Sequence, residues 1–538
     1  MDPEVALSGL RFAYQELERE VVRALDTQLG DAQQLAIPQS RAMALLQYIN
    51  THQHLIPTQE ELVASQQSIQ NMIHDLDEGC HLSLDPAPND ATIITASAMR
   101  LGRRGRPRIE INLEVLEYSL NLRGPYRLAP TFGCSARTIR RRALESGISD
   151  PGQPVYTRIE NLDGTLNLVY TAPNRIYSEI SDEQLLQLVA SGLAIFPHFG
   201  RRLMDGYLKS LGYTVMRDRI RWALEEIRGA PAVFGSRPIR RIPYRVPGPN
   251  SLWHHDGQHG LIRYKMVIHM FVDGFSRLVT AIQVNNNNRA GTVLELFHAA
   301  RSIYGTPSRI RGDHGVENIG VAAWMEDNQG HGRGSYIFGR SVHNTRVERM
   351  WFDVTEAFGF KWRLFFHNLE IYHNLQPDLE THLWLLHYLF LEAINADALK
   401  WMEAWNSHTM TLPDQPSRSP RDMWFFGMIE AGSRGLNTIQ EECDETALED
   451  IQAYGIDWDG IDQANMVEHA PNPEEEEEVV VDEPTNIHQD SLEQFMCERL
   501  NQLQLDWESC DMIVRRTWWE AGIQLLNEWC RFHNLEVL

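Results

Sequence analysis

The sequence predicts a multidomain chain in which α-helical modules precede a central α/β domain and a helical region closes the chain. Three observations carry that reading. The 538 residues, 43% of them hydrophobic, suffice for about three or four cores at roughly 150 residues per domain. The apolar rhythm changes near residue 250 from helical spacing to a succession of strand-like runs. Charge is segregated: the net −24 hides a stretch from Leu101 to Leu144 with ten Arg and three Glu, and a stretch from Glu441 to Pro484 with 17 Asp and Glu and no Lys or Arg. One chain thus carries a basic module and an acidic tail.

The six cysteines are scattered and form no CxxC pair, which argues against a zinc ribbon or a disulfide framework and fits a reduced intracellular compartment. The start, "MDPEVALSGL", lacks the basic and apolar regions of a secretory signal. The most apolar run, "LWLLHYLFL" from Leu383 to Leu391, is far short of a membrane span and reads as a buried helix. No membrane partner is expected.

Residues 1–95 read as a helical accessory region, with an apolar stripe at Leu10, Tyr14, Leu17, Val21 and Leu25. In 96–150, "RGRP" places Arg104 and Arg106 in the core of an AT-hook, a peptide that lays arginines along a narrow minor groove; a solvated basic linker is the competing account. "NLEVLEYSLNL" predicts a first helix and "FGCSARTIRRRAL" a turn at Gly133, an N-cap at Ser135 and a second helix carrying Arg137, Arg140, Arg141 and Arg142. That order is helix-turn-helix with a basic second helix suited to a major groove, or else a basic surface helix. Pro125 and Pro130 keep the middle element short. Residues 151–235 predict a second helical DNA-binding module, three helices punctuated by Gly200 and Gly212, with Arg201 and Arg202 among the arginines available to phosphate. Four prolines make 236–249 an extended basic linker.

From residue 250 to about 430 the pattern is strand, strand, strand, helix, strand, Gly-rich loop, helix: "LWHHDGQHGLIRY", "KMVIHMFVDGFSR", "LVTAIQVN", then "AGTVLELFHAARSIYG", "PSRIRGDHG", the loop "NQGHGRGSYIFGRS", and "VHNTRVERMWFDVTEAF" with its stripe at Val347, Met350, Trp351 and Val354. That is the order of an RNase H-like domain. Residues 437–486 form an acidic linker, solvated or else mimicking DNA phosphate against the basic modules, and 487–538 form two amphipathic helices that dock on the core or on a protein partner.

Three carboxylates stand in order in this core: Asp256 near the end of the first strand, Asp313 in "RGDHGVEN" and Glu348 in "HNTRVERMW", the last two with 34 residues between them. With the closing segment "AWNSHTMTLPDQPSRSPRDMWFFG", they make the region from Asn250 to Gly427 resemble the catalytic core of retroviral integrases and DDE transposases, closest to the integrase-core proteins of eukaryotic mobile elements. The resemblance implies an RNase H-like fold and a polynucleotidyl transferase that performs DNA integration. It implies that Asp256, Asp313 and Glu348 are the catalytic residues and metal ligands. Physical reasoning runs alongside: in-line attack on a phosphodiester is served by two divalent cations, and hard Mg²⁺ or Mn²⁺ prefers carboxylate oxygen. Asn344, one turn before Glu348, faces metals or DNA.

His254, His255 and His259 beside Asp256 raise the alternative of a zinc site. On a strand His254 and Asp256 share a face and His255 points away, which disfavours one closed tetrahedral cage. Asp273 in "VDGFSR" reads as a hairpin-turn residue rather than a fourth ligand, and Trp253 and Trp351 as core. The expected partners are double-stranded DNA and further copies of the chain on DNA ends, in the nucleus of a transposable element's host. A DNA-binding regulator with a silent core, or a nuclease that does not join, are the alternatives.

Overall fold

The computed structural model describes residues 3–85, 93–99, 107–150, 156–160, 166–170, 177–228, 246–313, 315–330, 333–338, 345–412, 415–436, 481, 484, 489–503 and 505–533. Three helices, α1 (Pro3–Thr27), α2 (Ala32–Thr51) and α3 (Gln59–Ser83), open the chain. A hairpin of β1 (Ala96–Met99) and β2 (Arg108–Ile111) leads into α4 (Leu113–Leu122), the single turn α5 (Pro125–Leu128) and α6 (Ala136–Glu145). A second hairpin, β3 (Tyr156–Glu160) with β4 (Leu166–Tyr170), precedes α7 (Asp182–Ile195), α8 (Arg201–Ser210) and α9 (Arg217–Arg228). Neither hairpin is expected from the sequence, because four or five residues give too short a period-2 signal.

The central sheet has five strands: β5 (Trp253–Leu261), β6 (Met266–Asp273), β7 (Val279–Asn285), β8 (Ile310–Gly312) and β9 (Tyr336–Phe338), in the spatial order β7-β6-β5-β8-β9. The pairs β5–β6 and β6–β7 are antiparallel, while β5–β8 and β8–β9 are parallel. Every residue of β6 is buried, so "MVIHMFVD" is a nearly continuous apolar run, covered on both faces, instead of alternating. On one face lie α10 (Ala290–Tyr304) and α11 (Ile319–Gln329), closed around Trp253, Phe271, Phe297 and Ile310. On the other lie α12 (Thr345–Val354), α13 (Phe360–Tyr372) and α14 (Glu380–Ser407), around Met270, Val272, Trp362 and Phe390.

The segment between Asp313 and α12 departs from the expected Gly-rich loop. It holds α11 and the edge strand β9 within "SYIFG". β9 is only three residues long, and its order comes from pairing with β8 rather than from its own pattern.

Both sheet edges are covered, as exposed edges invite foreign strands. Leu29, after α1, packs with Ile337 of β9. At the other edge two side-chain amides of α14 replace a strand. Asn395 accepts from Val284 N at 2.8 Å and donates to Val284 O at 2.9 Å. Asn406 treats Val279 in the same way, at 2.9 Å each. Eleven helical residues rise about 16 Å and five strand residues about 17 Å, so the spacings match. A bulge between Phe271 and Val272 of the ladder shifts the alternation, and so turns both valines' backbone groups outward.

The peripheral modules are docked, not tethered. The α4–α6 unit packs on α15 (Pro420–Glu430): Arg123 makes a buried ion pair with Asp422 at 2.8 Å and lies 3.4 Å over the Phe426 ring. Of the two expected C-terminal placements, the described helices (Gln489–Asn501 and Met512–Phe532) take the core, with Trp518, Trp519 and Leu526 in the apolar cluster of α13 and α14. The run at Leu383–Leu391 lies within buried α14, and no helix among the described residues is long and apolar enough to cross a membrane. Residues 437–480, most of the acidic linker, lie outside the described residues.

Asn406→Ala should leave Val279 N–H and C=O unpaired in the interior. We expect a loss of about 2–3 kcal/mol in urea unfolding, and a smaller loss for Asn395→Ala, which is only half-buried. Equal, negligible losses would show that water takes over the edge.

His408 is buried against α8, and burial holds its pKa down at about 4. An unfolded histidine titrates near 6.5, so on acidification the unfolded chain takes up a proton that the folded chain refuses. The stability from this group is whole above about pH 6.5 and is lost as pH falls toward 4. The urea midpoint should drop between pH 7 and pH 4.5, and by less in His408→Asn; an equal drop in both would remove His408 as the source.

Candidate active site

The parallel ladder between β5 and β8 pairs Trp253 with Ile310 and His254 with Arg311. Continued two residues, the same offset sets Asp256 beside Asp313, where backbones of neighbouring strands lie about 4.8 Å apart. Paired residues of parallel strands point to the same side, so both carboxylates issue from one face, Asp313 just past the carboxyl end of β8 and Asp256 midway along β5, not near its end as the sequence suggests, because β5 runs on to Leu261 against β6. The carboxyl ends of strands in an open α/β sheet are where ligands bind.

Each carboxylate is held by a neutral donor. Trp351 of α12 donates its indole Nε1–H to Asp256 Oδ2 at 2.7 Å, and Gly257 N–H donates to Oδ1 at 3.0 Å. Asn318 donates its side-chain amide to Asp313 Oδ1. Neutral donors fix the carboxylates without cancelling their charge, unlike an Arg or Lys. One turn beyond Trp351, Thr355 Oγ1 accepts from Gln258 Nε2 at 2.6 Å. These two bonds pin the helix along β5 and leave residue 348 one turn before Trp351, since three residues rise about 4.5 Å. Val347, Met350, Trp351 and Val354 are all buried, which is the stripe the sequence predicts.

Beneath the aspartates lies Tyr336 of β9. Its hydroxyl is buried with no hydrogen-bond partner among the described residues, directly over Gly312. Burial, with Asp313, Glu317 and Asp256 nearby, pushes the phenol well above its ordinary pKa. A Cβ on Gly312 would strike that hydroxyl, so the glycine before Asp313 is there to admit Tyr336. Glu317 is buried beside this loop, its carboxylate folded against Gly315.

Sequence reasoning missed Asn318, Tyr336 and Glu317, and read Trp351 as core only. The signal for Trp351 was its place three residues after Glu348; Tyr336 had none, because its strand was hidden. Asp273 is the turn residue expected: it accepts from Ser276 N at 2.7 Å and from Asn250 N at 2.8 Å, while burial raises its pKa to about 6. Trp253 is core. His254 and His255 take opposite faces, His255 stacking on Phe271 at 4.2 Å between ring centres, and His259 is exposed.

The expected trio is placed in part. Among the described residues no group of three His, Cys, Asp or Glu is arranged to hold a metal. The side chain of Glu348 lies outside the described residues, as do Asn344, Arg104 and Arg106. The two aspartates nevertheless fit a hard divalent cation: oxygen donors on one face, each with a glycine beside it, at 257 and 312, that adds no side chain.

The basic second helix forms as expected, with Ser135 accepting from Thr138 N at 3.2 Å and Gly133 at φ +56°. Arg137, Arg140 and Arg141 are exposed along it. Arg142 is a correction: it is buried, donates to Ile109 O at 3.1 Å and pairs with Glu145, because the helix needs an inward residue beside Ile139 and Ala143. Arg201 and Arg202 sit at the start of α8; burial first, then the nearby Arg217 and Arg202, lower the pKa of Arg201, with Asp205 opposing them.

Residues 243–437 match the family model described as Integrase core domain. Among solved structures, the HTLV-2 integrase catalytic core domain in complex with magnesium, in a trimeric form, is 17% identical over 33% of this chain and 97% of its own, with a TM-score of 0.21. The simian T-cell lymphotropic virus intasome in complex with PP2A regulatory subunit B56 gamma is 13% identical over 44% of this chain and 71% of its own, with a TM-score of 0.27. A search of curated proteins finds no match.

Trp351→Phe keeps a ring in the core but removes the donor to Asp256. Loss of a group that orients a metal ligand costs about 10–100-fold in affinity, so Mn²⁺ binding by calorimetry should weaken to that extent with little loss of thermal stability. Unchanged Mn²⁺ affinity would reduce Trp351 to packing.

Proposed function

We propose that the integrase core domain at residues 243–437 serves a DNA strand transferase, in which Asp256, Asp313 and Glu348 are the catalytic carboxylates. One observation supports this reading: the register of β5 on β8, extended by two residues, sets Asp256 alongside Asp313, and Trp351 of the helix bearing Glu348 donates to Asp256. The donor set suits two Mg²⁺ or Mn²⁺ ions held by these three residues; such ions supply charge stabilisation at the attacking and leaving oxygens of an in-line displacement. Trp351 and Asn318 hold the carboxylates in place through substrate entry.

The reaction is transesterification. A DNA 3′-oxygen forms the new bond to a target phosphorus, the target's own P–O3′ bond breaks, and the leaving 3′-oxygen takes a proton. Exposed Arg137, Arg140 and Arg141 on α6, and Arg201 and Arg202 on α8, are the phosphate contacts on double-stranded DNA, with Arg104, Arg106 and Asn344 proposed beside them. The chain works as an oligomer that holds paired DNA ends in the nucleus.

Glu348→Gln should abolish joining of the element's own DNA ends in Mg²⁺ or Mn²⁺ and leave DNA affinity nearly unchanged. If wild type cuts those ends but never joins them, the chain is a nuclease. If it does neither, it is a DNA-binding regulator with a silent core, and activity that follows Zn²⁺ and His254 would overturn the carboxylate site.

Replacing Arg137, Arg140 and Arg141 with Gln should flatten the log–log salt dependence of duplex binding by about 0.9 for each phosphate no longer neutralised. An unchanged slope would make α6 a solvated surface helix.

A further inference from the structure

The C-terminal helices α16 (Gln489–Asn501) and α17 (Met512–Phe532) do not close fully on α14. Between the three lies a cavity of about 650 Å³, a size that suits a small molecule. The sequence of α14 makes the room. Leu389, Ala393, Ala396 and Lys400 line one wall, spaced so that they share a helix face. The two alanines in the middle of that face leave the space that longer side chains would fill. Leu500 of α16 and Trp507, between α16 and α17, supply further apolar lining.

The most buried lining residues are Arg515 and Trp518 of α17, 3% and 2% exposed, and they form the floor. The guanidinium Nη1 and the indole Nε1 are buried and have no hydrogen-bond partner among the described residues. Both groups are donors only, and buried donors are normally paired. Arg515 is already committed elsewhere. Its Nε donates to Ser509 O at 3.0 Å, and its guanidinium lies 4.7 Å over the Trp362 ring. This holds Nη1 3.6 Å from Asp397 Oδ2, past hydrogen-bond reach. That oxygen already accepts from Lys361 at 2.8 Å and from Trp362 at 2.9 Å. Two buried cations therefore share one carboxylate. Burial, opposed by Asp397 and reinforced by Arg515, holds the Lys361 pKa below its ordinary value. A buried excess of positive charge is costly until an anion meets it.

We propose that this cavity binds a small carboxylic acid with an apolar body, its carboxylate on Arg515 Nη1 and Trp518 Nε1 and its body among Ala393, Ala396, Leu500 and Trp507. The outer lining selects for a single charge. Glu392 and Glu508 stand there, both exposed, with one exposed lysine, Lys400. Two carboxylates repel a multiply charged ligand such as a polyphosphate or a nucleic acid. A monoanion gains the charge-assisted hydrogen bonds at the floor. Arg515, Trp518 and Trp507 lie beyond the integrase core domain at 243–437, and the site is independent of the strand-transferase reading.

Titration calorimetry of the full chain at neutral pH with phenylacetate, phenylpropionate and phenylbutyrate tests it. At least one acid should bind once per chain, with a Kd of about 1 mM or tighter. Its amide, which keeps the shape and loses the charge, should bind at least about tenfold more weakly. Ala396→Leu fills the cavity and should abolish binding. Trp518→Phe removes one donor and should weaken binding about tenfold or more. An unchanged circular dichroism spectrum shows that each variant folds, and the comparison of acid with amide needs no variant. Absence of saturable binding by all three acids, equal affinity for acid and amide, or binding indifferent to both variants overturns the proposal.

Discussion

The short parallel junction between β5 and β8 is the interaction on which the rest depends. Only two residue pairs form it, yet it sets the offset that brings Asp256 and Asp313 together. A parallel junction so short survives because both faces are covered and water cannot compete for its hydrogen bonds. Trp253 and Ile310 bury one face. Below the other, the N-terminal helices provide cover: Arg311 reaches Leu29 O at 3.3 Å and Arg309 reaches Leu82 O at 2.7 Å. A region without chemistry of its own thus buttresses the strand that ends in Asp313.

The aspartate pair is held against its own repulsion. Two like charges on adjacent chain segments disfavour one another, and the donors that fix them are neutral. Positive charge is thereby left to be supplied from outside, which is what a cation or a cation-bound phosphate offers. The nearby histidines do not supply it. His255 and His269 are buried, and burial lowers both pKa values, that of His269 to about 4. They line the back of the site as neutral rings.

Beyond the sheet, buried ions fasten the modules. Asp397 of α14 binds Lys361 at 2.8 Å and accepts from Trp362 Nε1 at 2.9 Å, and Arg515 of the last helix stands 3.6 Å away. Arg434, after α15, binds Asp85 at the end of α3 at 3.4 Å. Arg123 and Asp422 do the same for α4–α6. Such pairs add little net stability over apolar packing, but removing one partner strands a buried charge. They therefore fix the orientation of the basic helices relative to the core.

By itself the sequence determined the elements with strong local signals. Alternating or continuous apolar runs gave β5, β6 and β7; helical stripes gave α4, α6–α10, α12 and the two C-terminal helices; Ser135 marked a helix start, and Asp273 its turn. The order of the three carboxylates was legible because it is a property of the chain. Tertiary structure decided what depends on partners far along it. β9 and α11 had no period to read, so Tyr336 and its glycine stayed hidden. Arg142 looked like its neighbours in composition, and only packing turned it inward. Trp351 looked like core and is also the donor that orients Asp256, because an indole N–H acquires a meaning only when a carboxylate 95 residues away is brought within 2.7 Å.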